Sequence, residues 1–246
     1  MEIELVNYFI KGNIALTKVD EDYPDNKLSG AVFEVYSDTN GDGKLDKDDT
    51  LLGEMKELDG GVYQMSELRY GKYLVKESKA PTGFVLDEDV YAVSIEENGK
   101  TYTVENKAGV GFINAAQKGS LKIVKTSSDG KVEDFSFRVT GVDYDKTFKT
   151  DKNGEIVIEG LRIGDYTVSE VNDKASAGYI LPADKQVTVK VDATAIVQMH
   201  NEFRDTPKTG DDFNLGLWVS LAVLSVVGAG VLGFVGYKNR KKKKED

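Results

Sequence analysis

The chain contains 246 residues, of which 40% are hydrophobic and 30% are charged, and its formal net charge is −10. Six bases but only two acids lie in residues 238–246, so the rest of the chain is strongly acidic, which argues against nucleic acid and anionic membranes as partners. It has no cysteine and a single histidine, so a transition-metal site or a nucleophile–histidine site has little support.

Residues 1–10 have the pattern of the end of a domain. Two acids stand among the first four residues, and no apolar stretch of signal-peptide length follows them. Asn7 lies eleven residues before Lys18, just as Asn114 lies eleven residues before Lys125. We therefore expect residues 1–10 to be the last-strand remnant of a preceding repeat, and the chain to be the C-terminal portion of a longer array.

Residues 11–205 carry one all-β pattern twice. The sequence L-R-x-G-x-Y-x-V-x-E occurs at 68–77 and again at 161–170. Short alternating runs are separated by Asn-Gly, Asp-Gly and Gly-Gly turn signals, and no convincing amphipathic helix precedes the C-terminal apolar run. The pattern predicts two tandem β-sandwich domains, 11–118 and 119–205, each with about six to eight short strands.

Each repeat places a Lys, a Glu and an Asn where the alternation predicts a core residue, because side chains at i, i+2 and i+4 of a strand share a face. One interpretation is that each strand ends at these residues and their side chains reach solvent. The recurrence of the same three residue types favours burial, in which case the charged groups should be in contact. The sets are Lys18, Glu77 and Asn114 in the first repeat, and Lys125, Glu170 and Asn201 in the second.

The chemistry of these three side chains is complementary. Desolvation lowers the pKa of a Lys and raises the pKa of a Glu, so a buried pair can rest as a neutral amine and a carboxylic acid. The amine is a nucleophile, and the acid can polarise the Asn carbonyl and pass a proton to the leaving ammonia. The sequence therefore predicts one Lys–Asn isopeptide bond in each domain, with Glu77 and Glu170 as the catalytic residues and no turnover.

A local motif links these residues to a known family. Residues 73–84, YLVKESKAPTGF, match the pilin E-box, YxLxETxAPxGY, with Val75 in place of Leu, Ser78 in place of Thr and Phe84 in place of Tyr. Residues 166–170 keep the Tyr and the Glu of that motif. Both repeats thus resemble the CnaB-like modules of Gram-positive surface proteins and pilins. The resemblance implies neighbouring first and last strands, and the crosslinks Lys18–Asn114 and Lys125–Asn201.

The segment 38–49, DTNGDGKLDKDD, fits a twelve-residue calcium loop of the EF type, with Gly43 at the sharp turn. The predicted ligands are side-chain oxygens of Asp38, Asn40, Asp42, Asp46 and Asp49 and the carbonyl oxygen of Lys44. The alternative is a polar turn rich in Asp-Gly. Because no helical pattern flanks the loop, we expect a structural calcium ion in an insertion of the first domain.

The C-terminus carries a motif, an apolar run and a basic tail in that order. An uncharged run at 215–237 is long enough to span a bilayer, and the basic tail 238–246 would stay cytoplasmic. With the motif TPKTG, this order resembles the cell-wall sorting signal of Gram-positive surface proteins. The resemblance implies cleavage by a sortase between Thr209 and Gly210, transient membrane insertion, and transfer to a peptidoglycan cross-bridge amine. The motif residues are Thr206, Pro207, Lys208, Thr209 and Gly210.

These features together predict a cell-wall-anchored stalk, the C-terminal segment of a surface adhesin or of a pilus-anchoring subunit. Pilin subunits or a host surface ligand are the further partners that this interpretation allows. Two alternatives remain open at this point. The domains could themselves bind a host ligand, or the chain could display a surface enzyme whose catalytic part lies elsewhere.

Overall fold

The computed structural model describes residues 7–204. The predicted sorting motif 206–210, the span 215–237 and the basic tail lie outside the described residues. Every regular element within 7–204 is a β-strand, and that part of the chain accordingly contains no helix of the length and apolar character that crossing a membrane requires.

The first domain is built from nine strands in two facing sheets. One sheet has the order β4-β5-β1-β8, with β9 also pairing with β1, and the other has the order β3-β2-β6-β7. The strands are β1 (Lys11–Asp20), β2 (Val32–Ser37), β3 (Thr50–Glu54), β4 (Lys56–Asp59), β5 (Val62–Arg69), β6 (Gly71–Lys79), β7 (Val90–Ile95), β8 (Thr101–Thr103) and β9 (Phe112–Asn114).

The second domain repeats this architecture with eight strands. Its sheets have the orders β13-β10-β17-β15 and β12-β11-β14-β16. The strands are β10 (Lys118–Ser127), β11 (Ser136–Gly141), β12 (Tyr144–Lys149), β13 (Glu155–Arg162), β14 (Gly164–Glu170), β15 (Tyr179–Ile180), β16 (Lys185–Val189) and β17 (Thr194–Phe203).

The cores lie between the sheets and follow from the alternation along each strand. In β1 every second side chain is buried, from Gly12 through Ile14 and Leu16 to Lys18. The apolar members of the first core surround Phe33, whose ring packs edge-to-face on Tyr63 and Phe112. Such aromatic pairs add about 0.5–1.5 kcal/mol beyond the burial of their area.

The repeated motifs mark equivalent positions in the two domains. The Tyr73 hydroxyl donates to the Arg69 carbonyl at 2.6 Å, and the Tyr166 hydroxyl donates to the Arg162 carbonyl at 2.9 Å. The repeated Lys-Gly at the start of each first strand also has a steric cause. A Cβ added at Gly119 would lie 2.1 Å from the Lys190 carbonyl oxygen, so no larger residue fits there.

The last strand is continuous in one domain and broken in the other. In the second domain β17 runs parallel to β10 over eight consecutive residue pairs. In the first domain the corresponding pairing is divided between β8 and β9, each with three pairs to β1. Eight residues, 104–111, separate Thr103 from Phe112, whereas two, 197 and 198, separate the equivalent Ile196 from Met199. This insertion raises the strand count of the first domain to nine, above the six to eight predicted.

A buried ion pair joins the two domains. The Arg162 guanidinium donates to both carboxylate oxygens of Asp20, at 2.7 and 2.8 Å, and to Asp22 at 3.0 Å. The Arg162 and Asp20 side chains are 14% and 3% exposed. Although burial opposes it, the guanidinium holds the pKa of Asp20 below its usual range. Lys118 adds a more exposed contact to Asp22 at 3.1 Å.

Candidate crosslink sites

Of the six polar residues predicted on core faces, five are buried and Glu170 is partly buried. Lys18, Glu77 and Asn114 are 0%, 0% and 3% exposed. In the second domain Lys125 and Asn201 are equally buried, and Glu170 is partly buried. Buried charges are costly unless they are paired. The three residues of each domain therefore have to offset that cost through their contacts with one another.

The first cluster assembles three side chains from three strands. Lys18 comes from β1, Glu77 from β6 in the facing sheet, and Asn114 from β9, which lies parallel to β1. The Lys18 Nζ atom lies 3.5 Å from Glu77 Oε1. The Asn114 amide nitrogen donates to both Glu77 oxygens, at 3.0 and 2.9 Å. Glu77 therefore stands between the amine and the amide, as a proton shuttle must.

Burial makes the neutral form of Lys18 more accessible than in an exposed lysine, whereas its aromatic and polar contacts favour the charged form. Its ammonium lies 4.7 Å from the centroid of the Phe112 ring and donates to the Phe112 carbonyl oxygen at 3.3 Å. Burial lowers the pKa of Lys18 to about 8, and the attraction of Glu77 opposes this shift only in part. A neutral amine is therefore accessible near neutral pH, and only the neutral amine has the lone pair that a nucleophile needs.

The second cluster contains the same residues in a different arrangement. The Asn201 amide nitrogen donates to Glu170 Oε1 at 2.6 Å. Within residues 7–204 the Lys125 ammonium is not in salt-bridge contact with Glu170, although the attraction of Glu170 still acts on the pKa of Lys125. Its ammonium donates to the Thr126 carbonyl at 2.5 Å and lies 4.3 Å from the Phe135 ring centroid. Burial lowers the pKa of Lys125 and raises the pKa of Glu170, which favours the neutral form of each.

Both clusters leave the same atom without a partner. The side-chain oxygens of Asn114 and Asn201 are buried and accept no hydrogen bond from any residue in 7–204. A buried unsatisfied carbonyl costs about 1–3 kcal/mol. Rotating each amide by half a turn would direct its oxygen at the neighbouring Glu, and a protonated Glu would then donate to it. That exchange is the activation that an attack on the amide carbon requires.

The predicted calcium loop lies between β2 and β3 and is closed by its own hydrogen bonds. Asp38 accepts the amides of Gly41 at 2.7 Å and Gly43 at 3.1 Å, and Asp49 accepts the amides of Thr39 and Asp46. Within residues 7–204, no three His, Cys, Asp or Glu side chains are grouped as a metal site. The predicted metal ligands are all oxygen atoms, the type that calcium prefers. A carboxylate oxygen has more than one lone pair, so it can accept a backbone hydrogen bond and still contact a cation. Calcium binding stays a prediction.

Aromatic rings lie beside both buried lysines. Phe112 and Phe135 place their faces at the Lys18 and Lys125 ammonium groups. Strand alternation predicts that Val110, Phe112 and Asn114 share a core face, which indicates Phe112, whereas Phe135 comes from the loop before β11 and no sequence pattern indicates it. Val110 lies instead in the turn before β9, because the inserted loop breaks the strand there.

Comparisons with known proteins agree with this architecture. The family model described as "SpaA: Prealbumin-like fold domain" matches residues 12–108 and, a second time, residues 119–203. The prediction of two tandem all-β sandwich domains is thereby confirmed. No curated protein matches the chain.

Several solved structures of bacterial proteins are similar to the chain. The Bacillus anthracis TIE protein shares 25% identity with a TM-score of 0.59, and the match covers 79% of this chain and 34% of that one. The chain thus spans only part of that relative's length. A minor pilin of Streptococcus agalactiae matches at 18% identity and a TM-score of 0.36, covering 82% of this chain and 100% of that one. The shaft pilin SpaA of Lactobacillus rhamnosus GG matches at 14% and 0.35, covering 79% and 98%.

Proposed function

Because this chain belongs to the family of SpaA prealbumin-like fold domains, we propose that it is a stalk segment of a Gram-positive surface adhesin or pilus-anchoring subunit. In this proposal each domain closes an intramolecular Lys–Asn isopeptide bond, and the chain acts mechanically, without turning over a substrate. The observation that carries the proposal is the pair of clusters in which an Asn amide donates a hydrogen bond to a Glu, while the Asn carbonyl oxygen is buried and has no partner among the described residues.

The crosslinking step in the first domain balances without any further reactant. The neutral Lys18 amine attacks Cγ of Asn114, so that a new C–N bond forms as the bond from Cγ to Nδ2 breaks. Protonated Glu77 donates to the Asn114 carbonyl oxygen, takes a proton from the attacking nitrogen and delivers one to the departing nitrogen. Ammonia leaves, and Glu77 ends in its starting state. Lys125, Glu170 and Asn201 would perform the same step in the second domain.

Strand order supports the placement of these bonds. The first strand of each domain pairs directly with its last strand, β1 with β9 and β10 with β17. With both bonds formed, tension would pass through Lys18–Asn114, along the eleven residues to Lys125, and through Lys125–Asn201. Eight further residues lead to Thr209. Both cores lie off that path, so they need not unfold under load.

The proposed anchoring rests on the sequence of the C-terminal segment. A sortase would cleave between Thr209 and Gly210 and join the Thr209 carboxyl group to a peptidoglycan cross-bridge amine. The apolar run 215–237 would hold the precursor in the membrane until that transfer. Other pilin subunits or a host surface ligand are the further partners that this proposal includes.

Intact mass spectrometry of the folded chain tests the crosslinks. If both bonds form, the mass lies about 34 Da below the formula mass, because each bond releases one ammonia. Glu77→Ala and Glu170→Ala should each restore about half of this deficit. A wild-type mass equal to the formula mass, after correction for any N-terminal processing, overturns the proposal.

A further inference from the structure

The strand that carries Asn114 lacks the support that its counterpart has. Asn201 lies within β17, which is held along β10 by eight consecutive pairs, so its position is fixed by the ladder itself. Asn114 ends the three-residue strand β9, which follows the inserted loop 104–111. A short strand after a loop has more freedom to shift, and an isopeptide bond requires the amide carbon to meet the amine closely.

The inserted loop supplies a side chain that restores this support. Asn106 accepts a hydrogen bond from the Ile113 amide at 2.6 Å and donates to the Ile113 carbonyl at 2.9 Å. The Asn106 side chain thus pairs with the β9 backbone as a neighbouring strand would, at the residue directly before Asn114. Its remaining donor hydrogen bonds to Asp87 Oδ2 at 2.7 Å.

Asp87 extends the same network to the catalytic carboxyl group. Its backbone amide donates to Glu77 Oε2 at 2.9 Å. Its side chain also accepts the Tyr91 hydroxyl at 2.8 Å, and the Tyr91 ring packs edge-to-face on Phe112 at 5.1 Å. Asn106 is therefore connected to Asn114 through Ile113 and to Glu77 through Asp87. All the hydrogen-bonding atoms of its side chain are used in these contacts.

We propose that Asn106 is a positioning residue for the crosslink of the first domain, doing there what the continuous strand β17 does in the second. This inference rests on the proposed isopeptide chemistry. Asn106 contacts neither the Lys18 amine nor the reacting amide, so it acts through Ile113 and Asp87. In its absence β9 and Glu77 would lose their common support, and a misplacement of about 1 Å can slow a reaction by about 100-fold.

The test follows crosslinking in the full chain, synthesised in a cell-free system and quenched at intervals. Digestion and mass spectrometry give the rates of Lys18–Asn114 and Lys125–Asn201 formation in the same molecules. Asn106→Ala should slow the first bond by at least about tenfold and leave the second unchanged. Asn98→Ala is the matched control. Like Asn106, Asn98 accepts a backbone hydrogen bond, from the Lys11 amide at 3.0 Å, but it lies in an exposed loop. It should leave both rates unchanged.

Folding is separated from positioning by a second measurement. In a Lys18→Ala background, where the first bond cannot form, protease resistance gives the folded fraction with and without Asn106→Ala. A purely structural role would lower that fraction but leave the rate among folded molecules unchanged, and this result overturns the inference. So does an equal rate for wild type and Asn106→Ala. If wild type forms no bond in either domain, the proposed function itself fails, which is a distinguishable result.

Discussion

Replacing Asp20 by Asn should uncouple the two domains, because it removes the charge that Arg162 binds across the junction. The substitution is conservative in shape, and the asparagine oxygen can still accept the Asp22 amide, which Asp20 accepts at 2.9 Å. The lost feature is the pair of short charge-assisted hydrogen bonds to the guanidinium, at 2.7 and 2.8 Å. Removing one partner of a buried ion pair leaves the other charge desolvated without compensation.

The size of the effect follows from the burial of the pair. Breaking a fully buried pair costs about 3–5 kcal/mol. Arg162 keeps 14% of its side chain exposed and retains its contact to Asp22, so we expect a coupling energy of about 2–4 kcal/mol. The neighbouring contact between Lys118 and Asp22 has side chains 42% and 35% exposed, and such a pair contributes less than about 1 kcal/mol.

A double-mutant cycle measures this coupling. The four chains are the parent, Asp20→Asn, Arg162→Ala and the double variant, all carrying Glu77→Ala and Glu170→Ala so that no crosslink prevents reversible unfolding. The domain that unfolds first in denaturant breaks the junction, so its free energy of unfolding contains the whole coupling energy. The matched cycle uses Asp22→Asn and Lys118→Ala. Coupling energies that are equal in the two cycles would refute the reasoning.

The pH dependence of the same cycle has a definite sign. Since the folded state holds the pKa of Asp20 below its usual range, the stabilisation is present above the unfolded value of about 3.9. It is lost as the pH falls through the lower folded value, and the guanidinium does not titrate in that range. The coupling energy should therefore be constant from pH 7 to about 5 and decline only in stronger acid.

Three further predictions concern the sites and the fold. The proposed crosslinking step needs one proton shared by the Lys18–Glu77 pair. Because the pKa of Lys18 is near 8, the crosslinking rate of the first domain should fall above about pH 8. Quenched time courses measure this rate, and a rate that rises up to pH 10 contradicts the prediction. Gly119→Ala should prevent the second domain from folding, seen as lost protease resistance, because its Cβ would meet the Lys190 carbonyl at 2.1 Å; a melt unchanged from wild type contradicts the steric argument. If the 38–49 loop binds calcium, chelator should lower the melting temperature of wild type but not of Asp38→Ala, and identical wild-type melts with and without chelator count against the ion.

Sequence periodicity was enough to place most of the Lys, Glu and Asn residues of the two clusters in the core, because a strand's side chains alternate wherever one face is buried. Ile14, Leu16 and Lys18 obey that rule, and the burial of Lys18 follows from it. Periodicity could not predict where the strand pattern is interrupted or which separate elements meet. The insertion before Phe112 interrupts the last strand, and Asn106 returns to the β9 backbone across only seven residues of irregular loop. Arg162 and Asp20 are 142 residues apart, so alternation along a strand does not encode their pairing.

Strand alternation also could not predict which groups the Lys125 amine contacts. Alternation places it on the core face in the same way as Lys18, and both are buried. Whether the amine then meets its Glu depends on what else surrounds it. Phe135 and the Thr126 carbonyl hold the Lys125 ammonium, whereas Lys18 lies beside Glu77. Two domains with one motif thus differ in the geometry of the Lys–Glu pair.

The parallel pairing of first and last strands has a consequence for a molecule pulled from its two ends. Force enters the second domain at the start of β10 and leaves at the end of β17, which are opposite ends of one ladder of eight pairs. The ladder is then loaded in shear, so its hydrogen bonds must break together and cannot open one at a time like a zipper. The second domain would therefore resist extension in this way even without a covalent crosslink. The first domain, whose ladder is interrupted between β8 and β9, would yield at the lower force.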